Sequence, residues 1–377
     1  MPDKSSDLFF ELIKVLTGEK DRLSRSYSDQ EWEEALSIAR DQSIAGVLFP
    51  AIESLPREQY PTKHPAFHWW NAAEHCEFNT VKIAEAGEKA VQFFRENGFA
   101  CCLLKGVAVG RYYPQPNKRS SGDIDIWLDG GRQKIYDFAR SFDSEGKLYG
   151  VNYHHIHFHL FEDVHLEVHI WPSYLCSPLR NHRLHQFCNL YKPTMESSMP
   201  CLAFDRVFIL LHCFRHLTGS GVGLRQIMDY YYVLKQGFTP EEKADTVHWI
   251  KKLGMLRFAS GIMWLLQEVF GLAPDEAHQL LPPNEKEGRF LLHEILLTGN
   301  MGHTDPRPWG SRKTPLKRFL HNLRRDFYLL GHYPQEVLWQ PVFSIWLYVW
   351  RLRKGVGGEG VKRMANAFSY GKFGNQG

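Results

Sequence analysis

LLKGVAVGRYYPQPNKRSSGDIDIWL, residues 103–128, is the stretch whose reading decides the fold of this chain. Near its end, Gly122-Asp123-Ile124-Asp125 sets two acids one residue apart in an apolar run. Side chains on a β-strand alternate between faces, so Asp123 and Asp125 are expected on one side, a few ångströms apart. Like charges held that close resist joint ionisation unless a cation lies between them. Hard oxygen ligands select Mg2+ or Mn2+, and Mg2+ usually brings a nucleotide's phosphates with it. Upstream, the strand-like ACCLLK runs into Lys105-Gly106 and then a helix over residues 107–112, an arrangement that offers backbone N–H groups to a phosphate. A phosphate cradle followed by metal carboxylates suggests nucleotidyl transfer.

Working outward, the chain after residue 141 reads as three strand-like pieces, 147–153, 155–161 and 164–170, the last two joined at a polar tip, Glu162-Asp163. In the last piece, His165, Glu167 and His169 share one face while Leu166, Val168 and Ile170 share the other, so Glu167 is the candidate third carboxylate. The plain alternative is a solvated glutamate. His154, His155, His157, His159, His165 and His169 crowd the same region. Along one strand, positions 155, 157 and 159 spread over about 13 Å, too wide for one tetrahedral ion. No helical H-E-x-x-H occurs either. Zinc is set aside on those grounds, and His169 stands as the best supporting partner for Glu167.

Lys105 and Arg119 are the cationic candidates for a triphosphate, and Gly106 lets backbone approach the phosphates. On a later helical segment, His212 and His216 are spaced i, i+4, as are Arg225 and Asp229, so each pair shares a face. These residues are read either as contacts to nucleotide or acceptor, or as a buried ion pair that pins one helix to its neighbour.

Taken together, Leu104-Lys105-Gly106, Tyr113-Pro114, Arg119, Gly122-Asp123-Ile124-Asp125 and Glu167-Val168-His169 resemble a bacterial group of uncharacterised nucleotidyltransferases. That group lies within the superfamily whose fold is shared with DNA polymerase β. The likeness runs over about residues 99–235, including LLHCFRHLTGSGVGLRQIMDYYYVL. The resemblance implies that Asp123, Asp125 and Glu167 are catalytic metal ligands for Mg2+ or Mn2+. It also implies an NTP substrate, ATP among the candidates, held by Lys105, Gly106, Arg119, Arg225 and Asp229. One departure from the superfamily is Val107, which stands where a serine usually follows the glycine. The rival reading is a non-catalytic nucleotide-binding or assembly module that keeps the scaffold.

The expected fold class is α+β: a small mixed sheet embedded between helical regions. The divisions are 1–97 (helical), 98–200 (nucleotidyltransferase α/β domain), 201–300 (helices closing a cleft) and 301–377 (basic aromatic helices and tail). Ser28 with Glu31 makes a capping box for a helix over EWEEALSIARDQ. Helices are further expected over 133–141, 203–217, 223–236, 241–252, 254–270 and 287–298. No apolar run is long enough to span a membrane and the N-terminus is not a secretion signal, so the cytoplasm is the expected location. Seven scattered cysteines read as reduced thiols. The net charge of +3 conceals an asymmetry: from Ser311 onward twelve Lys or Arg face three acids, +9, leaving −6 elsewhere. A basic tail can bind nucleic acid, RNA included, or an anionic surface, but the favoured reading is solvated helix faces. The aromatic stretch 339–350 is read as a core-packing or oligomer-contact helix, ahead of an interfacial helix that touches a membrane surface or nucleic acid. The acceptor and the oligomeric state are open at this stage.

Overall fold

The computed structural model describes residues 5–142, 148, 150–310 and 313–353. They fall into two compact units, each discontinuous in sequence: Met1–Glu85, Lys105–Gly122 and Pro200–Pro308 form the first, and Ala86–Leu104, Asp123–Met199 and Trp309–Gly377 the second.

The first unit is helical. Ser28 caps the helix Asp29–Asp41, with the reciprocal Glu31 bond present, and Trp32, Ala35, Leu36 and Ala39 turn inward. Thr239 does the same for Pro240–Leu253, and a left-handed Gly254 ends that helix. Two of its helices carry residues singled out in the sequence. Leu202–Gly219 carries His212 and His216, and Leu224–Leu234 packs beside it with Arg225 and Asp229. The tyrosines 230–232 are all buried, so they serve packing.

The second unit holds a four-stranded mixed sheet. β1 is Cys101–Leu104, β2 Ile124–Leu128, β3 His155–Phe158 and β4 Leu166–His169, in the order β1-β2-β4-β3. The β2/β4 pair is parallel and the other two pairs are antiparallel. Alternation divides the sheet into two chemically opposite faces. Cys101, Leu103, Ile124, Ile126, Leu128, Ile156, Phe158, Leu166 and Val168 are buried apolar residues of one face. Around them the rings of Phe94, Phe99, Phe138 and Phe158 pack edge-to-face or stacked at 4.9–6.4 Å between centroids. Each such ring contributes on the order of 2 kcal/mol by burial. That strong apolar grip fixes the register, and so fixes which polar residues meet on the other face.

The α+β expectation, a small mixed sheet flanked by helices, holds. The piece expected as a strand at 147–153 differs: residues 150–153 form no strand, while 147 and 149 lie outside the described residues. Gly150 has φ +53°, and the His157 ring occupies the space a Cβ would need, so a tight bend seats that ring. The helix Pro178–Leu190 was not anticipated, because its polar, histidine-rich sequence buries only Leu184, Phe187 and Cys188. The aromatic stretch lies largely in the helix Gln340–Arg353, which has no buried residue. Among the described residues no helix is long and apolar enough to cross a membrane. The expected fraying of the last dozen residues, and part of the basic tail, lie outside the described residues.

Candidate functional site

The polar face of the sheet gathers the acids and imidazoles. In register, Asp125 stands opposite Glu167, and Glu167 opposite His157; one step along, Trp127 stands opposite His169, and His169 opposite His155. Neighbouring strands lie about 4.8 Å apart, so these side chains can touch across strands although they spread widely along each one. Three overlapping groups result, each with its ligand atoms within 4.8 Å of one another: Asp125, Glu167 and His169; His155, His157 and Glu167; His154, His155 and His169. The distance argument against residues 155, 157 and 159 holding one ion measured along one strand; across strands, His155 and His157 meet Glu167 instead. The hairpin between β3 and β4 was the signal that could have revealed the cluster.

Asp125 is 4% exposed and His169 0%. His169 Nε2 lies 2.7 Å from Asp125 Oδ1 and 3.6 Å from Glu167 Oε2. Its Nδ1 lies 3.3 Å from the Trp171 carbonyl oxygen. His155 Nδ1 is 3.2 Å from Glu167 Oε2 and 3.2 Å from His154 Nε2. Its Nε2 is 3.0 Å from the Asn152 amide nitrogen, and Arg351 donates to the Asn152 oxygen. Burial holds the His157 imidazole below its usual range, against the pull of Glu167. Asp123 precedes β2 and is exposed, as are His159 and His165. The donor set suits a divalent cation: two carboxylates and an imidazole nitrogen converge on a face whose far side is sealed by the core.

The other candidates belong to the first unit. Arg119 and Asp229 form a buried bidentate ion pair, 5% and 2% exposed, with Nε–Oδ1 3.0 Å and Nη2–Oδ2 2.6 Å. Tyr113 donates to Asp229 at 2.7 Å, and Arg119 Nη1 donates to the Ser120 carbonyl at 2.9 Å and to Ser121 Oγ at 3.3 Å. Burial opposes the Arg119 charge, but Asp229 outweighs it and raises the guanidinium pKa; burial and Asp229 together push the Tyr113 phenol well up. Arg225 donates to the Ser120 carbonyl at 3.1 Å. Arg225 and Asp229 thus do share a helix face, yet the ion pair of Asp229 is with Arg119, and together they pin the 119–121 loop.

Among the described residues, Lys105 is one of three non-glycine residues with positive φ, at φ 49° and ψ −141°, and Gly106 follows with φ +24°. Such a lysine backbone costs on the order of 1–3 kcal/mol and persists only where its surroundings enforce it. His212 Nε2 lies 3.1 Å from His216 Nε2. Burial first, then His216, Lys105, Arg119 and Arg225, depresses the His212 pKa well below the imidazole range. Lys105, Arg119 and Arg225 therefore lend positive potential to one neighbourhood.

No curated protein and no solved structure matches the chain. Residues 28–271 match the sequence model of the family described as "Uncharacterised nucleotidyltransferase", an extent that takes in the N-terminal helices as well as the sheet. The chain belongs to that nucleotidyltransferase family.

Proposed function

We propose that the protein is a divalent-metal-dependent nucleotidyltransferase that moves an NMP group from an NTP, ATP among the candidates, to a hydroxyl or phosphate acceptor. The observation that carries this reading is the register pairing of Asp125 with Glu167 on parallel strands, in a chain of this family. Asp125 and Glu167 hold the ion, with Asp123 as a further carboxylate at the start of β2. A divalent ion bound there supplies charge neutralisation on the phosphates and activation of the attacking oxygen.

The remaining work falls to this chain's side chains. The acceptor oxygen bonds to the α-phosphorus as the bond to the pyrophosphate oxygen breaks, and the acceptor proton passes to the Glu167 carboxylate. His155 Nδ1 lies 3.2 Å from Oε2 of that carboxylate and His157 Nε2 3.9 Å from Oε1, so two imidazoles flank it. Lys105, Gly106 and Arg225, in the first unit, are the phosphate candidates that the family resemblance implies, with Lys105 as the charge beside Val107. Arg119 and Asp229 act by positioning, since both ends of their pair are buried in protein. Catalysis rests on orientation and electrostatic complementarity.

An RNA acceptor suits the basic C-terminal region, and the seven free cysteines suit a reducing cytoplasm. The test is incubation with Mn2+ or Mg2+ and α-labelled NTPs in cell extract, with pyrophosphate release followed in parallel. Label on an RNA, protein or small molecule identifies the acceptor. NTP binding without label or pyrophosphate points to the non-catalytic module, and no NTP binding at all refutes the proposal.

A further inference from the structure

The two nitrogens of His169 both face oxygen. A carbonyl oxygen only accepts, so Nδ1, 3.3 Å from the Trp171 carbonyl, is the protonated nitrogen. That contact fixes the ring with Nε2 turned to Asp125 Oδ1 at 2.7 Å and Glu167 Oε2 at 3.6 Å. Between an imidazole nitrogen and carboxylate oxygens, either a proton or a metal ion must sit. Donation of the far N–H to a backbone carbonyl is how metal-binding histidines are commonly oriented. Adjacent ligand atoms around one octahedral ion, each about 2.1 Å from it, stand about 3 Å apart, and the two distances bracket that value.

His155 has the opposite polarity. Arg351 donates to the Asn152 side-chain oxygen, so the atom facing His155 Nε2 at 3.0 Å is the amide nitrogen, a donor. Nε2 therefore accepts, and Nδ1 carries the proton, with Glu167 Oε2 and His154 Nε2 each 3.2 Å away. One histidine is arranged to bind through a lone pair, and the other to hold a carboxylate in place.

We propose that His169 Nε2 is itself a metal ligand beside Asp125 and Glu167, and that this nitrogen turns the site from Mg2+ toward first-row transition ions of the Mn2+ and Co2+ kind. The proposal rests on the transfer reading for what the ion does, but not for how the ion is held. Imidazole nitrogen is a poor ligand for hard Mg2+, while affinity for nitrogen-containing sites rises along the series from Mn2+ to Co2+.

The experiment is pulsed electron paramagnetic resonance of Mn2+ bound to the His64→Ala/His68→Ala protein without nucleotide. That background removes the close ligand group that lies away from the sheet among the described residues, Glu33, His64 and His68; on the sheet face itself, His154, His155 and His157 remain as other nitrogen donors. The expected result is nitrogen hyperfine coupling to the bound ion. His169→Gln then abolishes the coupling and weakens Mn2+ and Co2+ binding at least tenfold, while Mg2+ binding changes less than threefold. Bound Mn2+ without nitrogen coupling, or Mg2+ binding as tight as Mn2+, overturns the proposal. His169 is deeply buried, so if His169→Gln misfolds, the His154→Phe/His155→Phe/His157→Phe protein decides the matter: coupling that persists there comes from His169, and coupling lost there overturns the proposal. Coupling present with no NTP binding would defeat the transfer reading and leave this one standing; NTP transfer without coupling would do the reverse.

Discussion

Asp229 in the first unit and Asp125 in the second are both buried carboxylates, but they meet different groups. Asp229 receives two guanidinium N–H groups and a phenol, all within 3.0 Å. Asp125 faces an imidazole nitrogen, in a cluster with a second carboxylate. A guanidinium cannot give up its proton or its charge in a protein, so the first arrangement is permanent and works as a strut. An imidazole nitrogen can exchange its proton for a metal ion, so the second arrangement can change state. Burial alone does not distinguish the two carboxylates; the exchangeability of the partner does.

The largest effect should come from the exchangeable side. On the proposed metal role, Asp125→Asn and Glu167→Gln each remove one ionic ligand, and several kcal/mol of transition-state stabilisation corresponds to about a thousandfold loss of NTP turnover. Circular dichroism should show an unchanged fold. Retention of more than a tenth of wild-type turnover in both variants would remove these carboxylates from the chemistry and break the comparison.

The strut should fail in the opposite way. Asp229→Ala leaves Arg119 charged and buried without its carboxylate, at a cost of about 3–5 kcal/mol. Replacing both partners together, Arg119→Met/Asp229→Leu, should recover most of that loss. The readout is the urea midpoint, since a chain of two units need not unfold in one step. Metal binding measured below that midpoint should remain within threefold of wild type. A stable Asp229→Ala protein that has lost NTP binding would instead place Asp229 among the ligand contacts.

A smaller effect separates crowded histidines in general from the metal group. His185 stacks on Trp171 at 3.9 Å with the rings 10° apart. Burial, then His182 and Arg132, lowers its pKa to about 4. The unfolded chain takes up this proton near pH 6.5 while the folded protein resists until about pH 4. The stabilising contribution is thus present above pH 6.5 and lost as pH falls toward 4. At 1.4 kcal/mol per unit, reduced because the ring is part-exposed, the loss is about 1–2 kcal/mol. His185→Phe should flatten that limb of the stability curve; an unchanged slope would assign the acid sensitivity elsewhere.

How much of this was legible beforehand follows from the range of each interaction. The alternation in residues 166–170 and the apolar run around Asp125 are local, so strands β2 and β4 and the polar face of Glu167 could be read from the sequence. The capping box at Ser28 and Glu31 is equally local. What escaped depends on register between strands. Nothing within residues 154–159 says that His155 will stand opposite His169, because hairpin pairing decides it. The Arg119–Asp229 pair spans 110 residues and could not be separated from Arg225–Asp229, which share a helix face in any reading. The helix Pro178–Leu190 escaped for a different reason, as three buried residues give too weak a pattern.

The smallest predicted effect tests whether the exchangeable site is held as firmly as the strut. Arg351, Asn152, His155 and Glu167 form a chain in which each group fixes the polarity of the next. His155→Phe removes the N–H that holds Glu167 Oε2, and loss of such a supporting bond costs about tenfold in metal affinity. Turnover at saturating metal should stay within threefold, because the carboxylate itself remains. Asn152→Ala acts one link further out: His155 keeps its ring but loses the contact that selects its tautomer, so the expected loss is only about threefold, a fraction of the effect of removing the ring. Metal titrations of the two variants give both numbers. A graded fall, His155 before Asn152, means the polarity chain orients the carboxylate. Equal and full loss of turnover in His155→Phe at any metal concentration would instead mean that the imidazole touches the substrate.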